Sequence, residues 1–244
     1  GIKADKKSSR VAAEGGVYFF KSDTRGLLIE INSETDFVAR SDDFKDFVDS
    51  ICKIIIKSNH LTYEELTNSS DTKMLDEIEL TRKNAITKLG ENIQIRRYVM
   101  KISDQDFNIG YTHNDKIGAL VVLKNENITL GKDICMQIVA SSPLGLNEQS
   151  IDKETLDAEK EIYKKELDKL DKKDDIKRNI LEGKVKKFIN ENTLINQPFI
   201  KDNTTTLKKI IQDNDIIEYV RFQLGEGIEK KNDNFAEEVY SQIK

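Results

Sequence analysis

The chain has 244 residues, 37% hydrophobic and 34% charged, enough apolar material for one large or two modest cores beneath a heavily charged surface. Its 44 acidic and 39 basic residues give a net charge of −5 and are interspersed rather than blocked, which argues against a nucleic-acid footprint. No apolar run approaches the ~20 residues of a membrane-spanning helix, and the two cysteines, Cys52 and Cys135, lie in apolar neighbourhoods that suit buried thiols better than a disulfide.

Residues 1–13 are polar, without an initiator Met or the apolar centre of a signal peptide, and are expected to be a linker remnant left after something upstream was cut away. Two apolar runs, Val17 to Phe20 and Leu27 to Ile31, flank a Gly-containing loop and predict a hairpin. The second run ends at Asn32-Ser33, and polar capping residues then precede a helical pattern, so a strand is expected to turn into a helix here. Thr35 or Ser33 can cap that helix, and Asp36 sits where the positive end of the helix dipole favours an anion. Phe37 places a large apolar side chain beside the acid at a chain reversal. Taken alone, the residues favour Phe37 folding back as a staple on the core; the alternative is an outward wedge aimed at a partner.

Beyond this turn, Phe44, Phe47, Val48, Ile51, Ile54 and Ile55 fall at helical spacing, with Ser41 as the cap and Asn59-His60 as the end. His60 reads as a surface cap residue rather than a ligand. A second helical region carries Leu75, Ile78, Leu80, Ala85, Ile86 and Leu89 before Gly90, and Ile93 to Ile102 then alternates as a strand. The segment Asp115 to Leu123 repeats Asp23 to Ile31 without a gap, which suggests two copies of one topology. Helix signals return from Gly131 to Ala140 and from Thr204 to Gln212, and Ile216 to Leu224 returns as a strand. Between them, residues 146–182 hold neither Gly nor Pro. A thin stripe of Leu156, Tyr163, Leu167 and Leu170, broken at residues 171–175, resumes with Ile176, Ile180, Leu181, Val185 and Phe188. That pattern predicts an antiparallel coiled-coil hairpin. After a Gly pair, Phe235 and Val239 mark a short amphipathic tail helix that needs a surface to lie on.

The fold expected is therefore α+β. It has two similar subdomains, each an antiparallel sheet with packed helices, over residues 14–103 and 104–224. A coiled-coil hairpin is inserted at 146–190, and a helical module occupies 225–244. No phosphate-binding loop, dinucleotide fingerprint or zinc spacing is present, so no cofactor and no metal is expected. A hydrolase that pairs Asp36 with His113 has no positive support.

Thr35-Asp36-Phe37-Val38-Ala39-Arg40, after Glu30-Ile31-Asn32, resembles the signature of the elongation factor Ts family. Further similarity lies in Val11 to Gly15, Gly90 to Arg97, Glu182 to Phe188, Asn196 to Phe199 and Val220 to Lys230. The resemblance implies an exchange factor, not an enzyme, that promotes GDP release from the GTPase elongation factor Tu. It implies that Phe37 wedges into an apolar pocket of the GTPase while Asp36 disturbs the groups that hold Mg2+ and the phosphate loop. Thr35 and Val38 would belong to the same inserted tip, with Ala39 and Arg40 supporting it. Gln137, Val139, Ala140, Phe235 and Val239 become candidate second contacts, although Gln137 stands where the family pattern has His. The resemblance further implies a bacterial cytoplasm or, alternatively, a bacterium-derived organelle. It also implies that a small N-terminal helical domain is missing, which should weaken binding without removing the core chemistry. The competing expectation is an adaptor that forms a homodimer through the hairpin and has no exchange activity.

Overall fold

Strand β2 (Arg25–Ser33) is buried along nearly its whole length, because both of its faces are covered. In the computed structural model, which describes residue 7 and residues 9–228, it is the centre of an antiparallel sheet in the order β1 (Glu14–Ser22), β2, β3 (Gln94–Ile102). A second antiparallel sheet has the order β4 (Phe107–His113), β5 (Ile117–Leu123), β8 (Ile216–Gln223), again with its most buried strand in the middle. The molecule is thus mixed helix and antiparallel sheet, as the α+β expectation held. Among the described residues no helix is long and apolar enough to cross a membrane.

Four helices follow β2. They are α1 (Asp36–Arg40), α2 (Asp42–Ile55), α3 (Tyr63–Thr67) and α4 (Thr72–Leu89). Helix α2 buries Phe44, Phe47, Val48, Ile51, Cys52 and Ile55 against Leu27, Ile29 and Ile31 of β2, the face that its 3.6-residue period forecast. It stops at Ile55 rather than at Asn59-His60. The ladder tightens there, with the Lys57 N–H on the Ile54 carbonyl at 3.2 Å and the Ser58 N–H on the Ile55 carbonyl at 2.8 Å, and the Arg25 guanidinium holds the chain beyond by the carbonyls of Ile56, at 3.0 Å, and of Ser58. On α4 the apolar Leu80 is 62% exposed rather than buried, while Ile78, Ala85 and Ile86 reach the core.

After β5 come α5 (Ile128–Ser141), then α6 (Lys153–Asp168) and α7 (Asp174–Asn192), joined across residues 169–173. Lys184 of α7 reaches Glu166 at 2.5 Å and lies 5.0 Å from the ring centroid of Tyr163, which ties these two helices together. Their seam is thin: Leu167 is the one buried residue on α6, and α7 has none. The helix expected over Thr204 to Gln212 is shorter than forecast. Thr204, Thr205 and Thr206 belong to strand β7 (Asp202–Thr206), paired with β6 (Pro198–Phe199), and only α8 (Leu207–Ile211) is helical. Three β-branched threonines in a row favour the extended chain.

The two sheets repeat one another in detail. Asp23 and Asp115, matched in the sequence alignment, both lie in the left-handed region, at φ 47° and 54°. The β2–β3 register slips between Glu30 and Ile31, and the β5–β8 register slips at the matching Val122 and Leu123. Val17 and Leu28 of the first sheet pack with Leu120, Val122 and Phe222 of the second. A Cβ on Gly26 would meet Asn108 at 2.7 Å and Leu120 at 3.2 Å, and one on Gly118 would meet Val17 at 2.8 Å and Leu28 at 3.1 Å. Each sheet thus presses its side chains into the glycine of the other, so the contact is reciprocal.

Candidate functional site: the tip helix and its supports

The tip is built at the end of β2. Thr35 is extended, at φ −123° and ψ 155°, and its hydroxyl oxygen accepts the Val38 N–H at 3.3 Å, so Thr35 rather than Ser33 is the cap. The Ser33 hydroxyl donates instead to the Thr35 carbonyl at 2.8 Å. At the other end, Ser41 closes α1 by donating to the Val38 carbonyl at 2.7 Å and opens α2 by accepting the Phe44 N–H at 3.2 Å. One serine therefore fixes the angle between two helices. Ala39 is buried and Val38 packs on the same core, while Phe37 is 84% exposed, which overturns the staple expectation. Asp36 pairs with Arg40 at 2.9 Å across one turn.

A second loop grips this turn from the side. The Glu91 carboxylate accepts the Glu34 N–H at 3.1 Å, the Thr35 N–H at 3.0 Å and the Thr35 hydroxyl at 2.6 Å. In return, the Glu34 carboxylate accepts the Asn92 N–H at 2.7 Å. Sequence reasoning recorded Glu91 only as part of a matching stretch and assigned it no role. Nothing in one dimension shows that residues 34 and 91 meet.

Glu30 was likewise passed over. Its side chain has no solvent exposure, and it accepts from Arg96 at 3.0 Å, Arg97 at 2.7 Å, Asn32 at 3.2 Å and the Gly225 N–H at 2.9 Å. Burial alone would raise its pKa, but the bonds from Gly225, Arg96, Arg97 and Asn32 outweigh it and hold the carboxyl below its ordinary value. Arg97 also stacks 4.2 Å from the centroid of the Phe222 ring and reaches Glu226 at 3.2 Å, and Arg96 donates to the Glu226 carbonyl. The end of β8 and the turn after it are thus bolted to the first sheet, two residues before Asn32 leads into the tip.

Of the candidates on α5, Gln137 is buried. Its amide donates to Gln197 at 3.1 Å and to the Pro198 carbonyl at 3.2 Å, and its carbonyl accepts the Ile200 N–H at 2.6 Å. That places Gln137 beneath the surface as a support. Val139 is half-buried and Ala140 exposed. Phe235 and Val239 lie outside the described residues. The His113 ring bonds to Tyr111 at 3.1 Å and to Asn114 at 3.3 Å, apart from the Asp36–Arg40 pair. Both thiols are free and buried, and burial pushes Cys52 and Cys135 up to about 12, so neither is a nucleophile. Among the described residues no group of His, Cys, Asp and Glu could hold a metal ion.

A family model described as Elongation factor TS matches residues 34–226. The chain belongs to the elongation factor Ts family. It is 40% identical over 247 residues to the Elongation factor Ts of Methylococcus capsulatus, covering 99% of this chain and 84% of the relative. It is 38% identical to that of Francisella tularensis subsp. novicida, over 99% of this chain and 83% of the relative. The protein of Clostridium acetobutylicum with the same name is 40% identical, over 98% and 84%. Membership in the elongation factor Ts family implies a nucleotide-exchange factor for elongation factor Tu in translation elongation, acting through protein binding rather than bond chemistry.

Proposed function

We propose that this chain binds elongation factor Tu·GDP in a bacterial cytoplasm and speeds GDP release by inserting the Asp36-Phe37 end of the tip helix near the Mg2+ and phosphate site of the GTPase. The observation that carries this is Phe37, a large apolar side chain 84% exposed on a helix whose other apolar residues reach the core. Leaving a phenylalanine in water forgoes about 1.5–3 kcal/mol that burial would supply, and a pocket on the partner recovers it. Releasing Asp36 from Arg40 costs little, because an exposed ion pair is worth about 0–1 kcal/mol. Asp36 is thus free to turn toward the partner when Phe37 seats. Thermodynamic reciprocity then requires that a nucleotide weakened by this chain weaken this chain equally, so GTP rebinding releases it. Half-buried Val139 and exposed Ala140 form a second contact, with Gln137 holding their helix in place.

Stopped-flow release of a fluorescent GDP from elongation factor Tu tests this. Wild-type chain should accelerate release, and Phe37→Ala should cut the acceleration by about tenfold, the effect of truncating a buried aromatic anchor. Asp36→Ala should also reduce it, and both variants should keep the wild-type melting profile. Absence of acceleration by the wild-type chain at any concentration would remove the proposal. A second reading, dimerisation through α6 and α7 without exchange, draws on Ile162, Leu170 and Ile176, each 43–51% exposed. Sedimentation of the chain as a concentration-independent monomer would dismiss it.

A further inference from the structure

We propose that Glu91 is a positioning residue for exchange, and that its carboxylate sets the cap of the tip helix and so the direction in which Phe37 and Asp36 leave the body. This rests on the exchange role proposed for the tip. Helix α1 has five residues, too few to hold its own shape in water. Val38 and Ala39 anchor one side of it to the core, but Phe37 is 84% exposed. Its direction comes from the backbone, which Ser41 sets at the far end of the helix and Thr35 sets at the cap. A threonine hydroxyl has one proton. That proton goes to Glu91 at 2.6 Å, which turns the oxygen lone pair toward the Val38 N–H, while the other carboxylate oxygen takes the N–H groups of Glu34 and Thr35. One side chain therefore fixes both the rotamer of the cap and the path of the chain into it.

The second half of the molecule supplies the comparison. At the position matching Thr35, Asn127 caps α5 by accepting the Leu130 N–H at 3.0 Å. A clasp recurs there as well: Asn214, just before β8, accepts the Asn125 N–H and donates to the Asn125 carbonyl, each at 2.9 Å. That clasp is neutral and grips the chain two residues short of the cap. Helix α5 has fourteen residues and buries Ile134, Cys135 and Ile138, so its direction is set by packing. Where the helix is short and its end exposed, the clasp is instead a carboxylate that reaches the cap itself.

The test is GDP release from elongation factor Tu, measured against concentration of the full chain. Glu91→Ala should lower the maximal rate roughly tenfold, as small misplacements of a working group do, with a smaller change in the half-saturating concentration. Glu91→Gln should restore the rate only in part, because its carbonyl can accept the two N–H groups but its amide cannot take the Thr35 hydroxyl proton. In a Phe37→Ala background, Glu91→Ala should slow release by a smaller factor, because only Asp36 is left to misplace. Equal slowing in both backgrounds, or wild-type speed for Glu91→Ala where Phe37→Ala is slow, overturns the role of Glu91 and leaves the exchange reading intact. If Phe37→Ala is itself fast, the exchange reading of the tip fails. Should Glu91→Ala not fold, Thr35→Val and Thr35→Ser address the same bond. A slow valine with a fast serine supports the proposal, and equal rates overturn it.

Discussion

Glu30 and Phe37 sit seven residues apart and show how differently two side chains of one segment can be used. Phe37 touches little of its own chain, so its removal should leave stability within about 0.5 kcal/mol of wild type while exchange falls. Glu30 is the reverse. Truncation to alanine strands Arg96 and Arg97 beside an apolar seam and should cost about 3 kcal/mol, the low end for a broken buried pair, because those arginines keep 25% and 30% of their side chains exposed. The pH dependence follows from the lowered pKa of Glu30. Its contribution is complete above the unfolded value of about 4.3 and fades as pH falls through the folded value. Urea titrations should therefore show Glu30→Gln well below wild type at neutral pH, and the gap should close in acid. The residues alone favoured Phe37 as a staple on the core, and only the resemblance of Thr35 to Arg40 to a family signature marked Asp36 and Phe37 as candidates. The sequence could not place Gln137, whose burial depends on Gln197 and Ile200, about sixty residues away.

Helices and strands were readable where their own period decides them and misread where a distant residue does. The face of α2 followed from spacing, but its end did not: the ladder tightens at Lys57 and Ser58, and Arg25, thirty-one residues before Ile56, holds the chain that leaves it. Thr204 to Thr206 lost to a local preference that a broad helical window overlooked. The pair α6 and α7 shows the opposite situation, with an element nearly independent of its surroundings. Gly183 lies exposed inside α7, and a Cβ there would have nothing within 4 Å. Its substitution by alanine should raise the melting temperature, since the helix gains about 1 kcal/mol from lost backbone freedom in the unfolded chain. An unchanged or lower melting temperature by calorimetry would overturn this expectation.

Across the molecule, the seam between the sheets is the place where substitution should be least tolerated. A Cβ on Gly110 would fall 2.1 Å from the ring of half-buried Phe19, so one of the two must shift. Gly110→Ala should destabilise the fold by about 1–3 kcal/mol, read as a lower urea midpoint with an unchanged slope. The repeat that builds this seam was visible as the match of residues 23–31 on 115–123. Its reciprocity was not, because facing residues of two sheets leave no mark on each other's sequence. The two halves also differ. Where one carries Asp36-Phe37 at its helix start, the other has Ile128-Thr129, and only the second was lengthened by α6 and α7. Two separate copies of one short chain would have to accept every such change twice, with two aromatic wedges and two hairpins pointing in opposed directions. Within a single chain the two halves can differ, one carrying the exposed Asp36-Phe37 end and the other the α6–α7 pair, so a body of near twofold form presents two unlike faces.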